Sequence, residues 1–242
     1  MTDCTVKQML PITDQTKIKI PKNVRTTKIP KLTETLPTGG ELNILNEKSR
    51  CNSRRNSVPV MELVRKHRPA NPEILRILIA KHQKKCKCGI KSMGTVEQFA
   101  TNLYNAQFGE LGRTMRKFYS WDKCYLFQYS LFCVGPLRGQ AMENASKYEF
   151  ERAIKQCGKE LICREATIKE DFEFAVDLVV FDSKSKKNVL GIQVKSRSAM
   201  RRNYVIRQNK AKQSRFDCPV IFHVYSGKGK FTPDAKTVIL HL

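Results

Sequence analysis

Asp177 stands inside an apolar run, Phe174-Ala175-Val176-Asp177-Leu178-Val179-Val180-Phe181. An ionised carboxylate there is costly unless something charged meets it. Read as a strand, Phe172–Phe181 places Glu173, Ala175, Asp177 and Val179 on one face. A second run, Leu190-Gly191-Ile192-Gln193-Val194-Lys195, puts Gln193 and Lys195 on one face with a single apolar residue between them. Pairing the two strands brings Asp177, Gln193 and Lys195 together at one strand end. That set suits phosphodiester hydrolysis. Asp177 offers a hard anionic oxygen to Mg²⁺, and the amide oxygen of Gln193 is a neutral second ligand. Lys195 can hold the attacking water and stabilise charge developing on the phosphorus. The metal would lower the pKa of that water and neutralise the phosphate. A third oxygen ligand could come from the preceding helix, where Glu143, Glu149 and Glu151 lie.

The elements that must position these groups read as follows. A helix is expected over Gln140–Gln156, ended by Gly158, with Phe150, Ala153, Ile154 and Cys157 at helical spacing. Strands are expected at Leu161–Arg164, Phe172–Phe181, Val189–Ser196, Pro219–Tyr225 and Thr237–Leu240. The polar loop Asp182–Asn188 joins two of them as a hairpin. A helix followed by strands, then further helix and strand, means α/β or α+β.

Helix Glu, strand Asp and then [Glu/Gln]-x-Lys resembles the signature of the PD-(D/E)xK nucleases, the restriction-endonuclease-like fold. The stretches Phe150-Glu151-Arg152-Ala153-Ile154, Val176–Phe181 and Gly191–Arg197 are similar to the core of archaeal-type Holliday-junction resolvases and of restriction and homing endonucleases. The resemblance covers residues 138–225. It implies an α/β core with a mixed central sheet flanked by helices. It implies Glu151 as the helix carboxylate, Asp177 and Gln193 beside the metal, and Lys195 as the catalytic lysine. Val176 stands where the family has proline, and Gln193 stands where it more often has Glu. The resemblance also implies a homodimer, since two sites cut two strands.

Beyond the core, residues 196–215 hold Arg197, Arg201, Arg202, Arg207, Lys210, Lys212 and Arg215 and no acid. They read as a phosphate-gripping surface, with Tyr204, Gln208, Asn209 and Gln213 as further groove contacts. Lys228 and Lys230 extend it, without a phosphate-loop motif. His223, mid-strand, reads as a packed side chain.

Residues 61–136 read as a helical basic module for DNA binding. Asn71-Pro72 is an N-cap and first-turn pair, and Thr95 with Gln98 fits a capping box. Gly109 and Gly112 separate the second helix from Arg113–Tyr119, an arrangement loosely like a helix-turn-helix. Cys86 and Cys88, with His82, Cys124 and Cys133, could supply zinc ligands, but C-x-C is not the usual C-x₂-C knuckle, so the thiols read as unliganded.

Residues 1–60 contain no aromatic residue, hold 11 Lys+Arg against five acids, and carry Lys-Ile-Pro-Lys at 19–22 and again at 28–31. They read as a mobile basic arm, disordered because it has little to bury. Arg54-Arg55-Asn56-Ser57-Val58 matches a basophilic kinase site.

The net charge of +23 calls for a polyanionic partner, and nucleic acid is the leading one. No run of about 18 apolar residues suggests a membrane span. The opening MTDCTVKQML lacks a secretory layout, and nine irregularly spaced cysteines read as reduced thiols, so an intracellular setting is expected. The expectation is therefore a Mg²⁺-dependent DNA endonuclease, with Mn²⁺ as a substitute ion and no small-molecule cofactor, acting on duplex or structured DNA. The alternative is a non-catalytic nucleic-acid-binding protein on a degenerate nuclease fold.

Overall fold

The computed structural model describes residues 40–49, 60–83, 90–227 and 229–242. The two Lys-Ile-Pro-Lys copies, the kinase-like pentapeptide, Cys86, Cys88 and Lys228 lie outside the described residues. The chain divides into two compact units, Met1–Leu137 and Arg138–Leu242.

The first unit is helical: α1 (Glu41–Lys48), α2 (Val60–His67), α3 (Pro72–Lys81), α4 (Val96–Ala106) and α5 (Trp121–Tyr129), followed by a π turn at Ser130–Val134. Asn71 caps α3 by accepting from the amide of Ile74 at 3.0 Å, with Pro72 in the first turn. Thr95 and Gln98 close a reciprocal capping box on α4. Apolar residues at helical spacing, among them Leu63, Leu75, Ile79, Phe99 and Tyr129, form the core.

Two expectations for this unit fail. Residues 41–48, assigned to the arm, form α1, and Leu42 and Leu45 are buried with Leu103, Cys124 and Phe127. An aliphatic i, i+3 pair suffices to dock a short helix, so the lack of aromatics misleads there. Arg113–Tyr119 is not a second helix either. A 3₁₀ turn at Glu110–Thr114 leads into non-helical chain up to the N-cap Ser120 of α5. A helix-turn-helix pair is thus absent at 96–119.

The second unit is mixed α/β. Helix α6 (Gly135–Gln156) leads into β1 (Leu161–Glu165), α7 (Ile168–Phe174), β2 (Leu178–Asp182), β3 (Asn188–Ser196), α8 (Asn203–Gln213), β4 (Val220–Gly227), β5 (Lys230–Thr232) and α9 (Ala235–Leu240). The strands form one sheet in the order β1-β2-β3-β4-β5. β1, β2 and β3 are antiparallel neighbours, β3 and β4 run parallel across the α8 connection, and β5 returns antiparallel. A parallel pair needs such a crossover. Phe150, Ala153 and Ile154 of α6 pack with Leu178, Val180, Leu190, Ile192 and Val194 on one face. Ala166, Val176 and Val179 pack with Phe174, Phe216 and Val220 on the other.

The expected strand Phe172–Phe181 is only half right. Thr167 and Glu170 form a capping box that starts α7 at Ile168, and Ala175 ends it in the left-handed region at φ 53°. Glu173 and Ala175 therefore are not strand residues, and β2 begins at Leu178. Thr237–Leu240, expected as a strand, lies in α9, because Asp234 caps it through the amide of Thr237 at 2.9 Å. Among the described residues no helix is long and apolar enough to cross a membrane.

If α1 is part of the folded unit, Leu45→Ala should cost about 2–4 kcal/mol, the usual cost of emptying a buried leucine site. Denaturant unfolding reads this as a lower midpoint. An unchanged midpoint would return residues 41–48 to an uninvolved arm.

Candidate active site

The β2–β3 ladder runs from Phe181 to Leu178, which pairs with Ile192. Asp177 extends it by one residue. Its amide donates to the Ile192 carbonyl at 2.8 Å, and its own carbonyl accepts from Ala166 at 2.9 Å. Its side chain then takes over where the ladder stops: Oδ2 accepts from the Val194 amide at 2.7 Å. Asp177 is 6% exposed. Lys195 Nζ lies 3.9 Å from the same oxygen, with a quarter of its side chain exposed. A backbone donor and a cation thus both meet the carboxylate.

Gln193 reaches the same face. Leu190, Ile192 and Val194 point to the α6 side, so Gly191, Gln193 and Lys195 alternate to the other. Gly191 shows this directly, since a Cβ there would press on Phe216 and Val220. Gln193 Oε1 accepts from Gln213 Nε2 of α8 at 2.8 Å, and that Nε2 also lies 3.3 Å from the Ala175 carbonyl. Gln213, read from the sequence as a groove contact, is instead buried and orients the Gln193 amide. No local pattern signals this, because the partners lie 20 residues apart.

The helix carboxylates are not brought to this face. Glu151 sits on α6, which packs on the opposite side of the sheet, and pairs with Lys147 at 3.2 Å one turn away. Glu149 points toward β4, its Oε2 lying 3.7 Å from His223 Nε2, and burial raises its pKa. Glu143 is half-buried, two turns before Glu151. The core thus brings Asp177, Gln193 and Lys195 together and leaves Glu151 outside the set. Among the described residues no group of three His, Cys, Asp or Glu side chains is arranged to hold a metal.

A thinner donor set still fits Mg²⁺, which retains several waters and takes one or two carboxylates together with substrate phosphate oxygens. Asp177 and Gln193 supply hard oxygens of that kind. The buried thiols do not: burial pushes Cys124 up to about 12 and raises Cys133 as well, so both are protonated at neutral pH.

The basic stretch divides in two. Arg197, Arg201, Arg202, Arg207 and Lys210 are exposed in the chain that follows β3 and along α8. Lys212 and Arg215 have structural duties. Lys212 Nζ donates to the Phe172 carbonyl at 2.7 Å, and Arg215 donates to that of Glu173 at 3.2 Å, which caps the end of α7.

His223 is fully buried, its Nδ1 2.7 Å from Ser146 Oγ and its ring stacked on Phe231. Burial pushes its pKa down to about 4. No family model, curated protein or solved structure matches the chain.

The depressed His223 value makes stability pH-dependent. The unfolded imidazole takes up a proton near pH 6.5 and the folded one only near 4. Its contribution is therefore complete above about pH 6.5 and is lost as the pH falls toward 4. The Tm of the wild type should drop more steeply over that window than the Tm of His223→Phe. Equal slopes would contradict the burial of a neutral imidazole.

Proposed function

We propose that the chain is a Mg²⁺-dependent DNA endonuclease that hydrolyses phosphodiester bonds in duplex or structured DNA. The observation that carries the reading is the meeting of Asp177, just before β2, with Gln193 and Lys195 on one face of β3. A buried carboxylate facing a lysine at 3.9 Å, next to an oriented amide oxygen, is more than packing requires. Three further observations support it. The mixed sheet flanked by helices is the architecture implied by the PD-(D/E)xK resemblance. Arg197, Arg201, Arg202, Arg207 and Lys210, all exposed, follow Lys195 in the chain. The net charge of +23 suits a polyanionic substrate.

When bound, Mg²⁺ would neutralise phosphate charge and acidify a water. The rest belongs to the chain. Asp177 and Gln193 would hold the ion, with the Val194 amide and Gln213 fixing the direction of their oxygens. Lys195 Nζ, with donors left over from its loose contact with Asp177, would bind the reacting phosphate and stabilise the charge that grows on it. Arg201, Arg202, Arg207 and Lys210 would grip flanking phosphates without reading sequence. A homodimer would place two such sites for two strands.

A second reading has its own observation. Glu151 does not join the other three, and a degenerate core that only binds nucleic acid needs no such convergence. Incubation with plasmid, linear duplex and four-way-junction DNA, with and without Mg²⁺, separates the two. Under the nuclease reading the wild type cleaves at least one of these only with the metal. Asp177→Ala should then cleave at least about a hundredfold more slowly while its DNA affinity stays within about twofold. Cleavage by Asp177→Ala near the wild-type rate would overturn the site assignment.

A further inference from the structure

The segment between α4 and α5 is a held loop rather than a helix. Gln107, 2% exposed, clamps its far end: Oε1 accepts from the Tyr119 amide at 2.7 Å, and Nε2 donates to the Tyr119 carbonyl at 3.1 Å. Glu41 of α1 adds a second tie by accepting from the Arg116 amide at 2.9 Å. Gly112 is buried against the backbone of Gln107, where any Cβ would collide. The loop is thus built to one shape.

That shape displays what a fold normally hides. Phe108 and Phe118 are each 66% exposed. They stack on each other with centroids 5.7 Å apart and planes 19° apart, and Tyr104 packs edge-on against Phe108 at 5.3 Å. Two phenylalanines left in water forgo the stabilisation that burial gives, so a rigid loop presenting them suggests a ligand for the rings. The surrounding charge says which kind. Arg113, Arg116 and Lys117 are exposed on the same loop, against one acid, Glu110.

We infer that this loop is a stacking platform for single-stranded DNA, in which unpaired bases lie on the Phe108–Phe118 stack and Arg113, Arg116 and Lys117 meet the phosphates. Rings and cations together are how proteins hold single strands without reading sequence. In duplex DNA the base faces are covered by their neighbours, so the rings have a surface to meet only where bases are unpaired. The inference rests on the DNA-binding part of the proposed function and names the form of DNA that this loop takes. It does not rest on hydrolysis.

Fluorescence anisotropy with a short labelled oligothymidylate and a blunt duplex of equal length, both without Mg²⁺, tests it. Phe108→Ala/Phe118→Ala should weaken oligothymidylate binding about tenfold or more and leave duplex affinity within about twofold. Phe108→Tyr/Phe118→Tyr should bind the oligothymidylate like the wild type, which excludes a folding defect as the cause. A protein that shows this ring dependence yet never cleaves DNA removes the hydrolysis reading and supports the platform. Wild-type oligothymidylate affinity in the double alanine variant overturns the platform. So does an equal loss for both DNAs, or a variant that only loses self-association.

Discussion

Placement of the candidate site depends on the hydrogen bond from the Val194 amide to the Asp177 carboxylate. The β2–β3 pairing ends at Leu178 and Ile192, and the side chain of Asp177 continues it by taking the next free donor on β3. That bond ties the approach to β2 to the stretch of β3 that carries Gln193 and Lys195. The left-handed turn at Ala175 delivers Asp177 to this position, and the Ala175 carbonyl lies beside the Gln213 amide that orients Gln193. The Asp177 carboxylate thus ties the approach to β2 to β3, while Gln213 of α8 ties Gln193 to the end of α7.

Magnitudes set the scale of the contact between Asp177 and Lys195. Desolvating a carboxylate costs several kcal/mol even after relaxation. Opposite charges about 4 Å apart return about 1 kcal/mol in water and about 4 kcal/mol near a protein surface. Lys195 at 3.9 Å and the backbone hydrogen bond from Val194 each offset part of the burial of Asp177. A buried charge facing a lysine and an oriented amide is the arrangement on which the proposed catalytic role rests.

Local signals were legible in the sequence. The caps at Asn71 and Thr95, the hairpin through Asp182–Asn188 and the helix through Phe150 all rest on contacts within a few residues. Asp177, Gln193 and Lys195 were legible as a set because strand alternation fixes which side chains share a face. Failures came where two local patterns competed. Phe172–Phe181 alternates like a strand, yet the Thr167–Glu170 box commits its first residues to α7. Asp234 does the same for α9. Non-local ties were not legible at all: Gln213 to Gln193, Gln107 to Tyr119, and the docking of Leu42 and Leu45. Glu151 shows the limit of a motif, since a helix residue has the right neighbours in sequence while its helix covers the other face of the sheet.

Lys195 offers the most direct test of the central claim, because it is the group assigned to the charge that develops on the phosphate. Single-turnover cleavage at saturating DNA and Mg²⁺ should slow about 10²–10³-fold in Lys195→Met, the effect of removing one such donor, while the Kd for DNA stays within about twofold. A rate within about twofold of the wild type would contradict the account and leave the Asp177–Lys195 contact a structural ion pair.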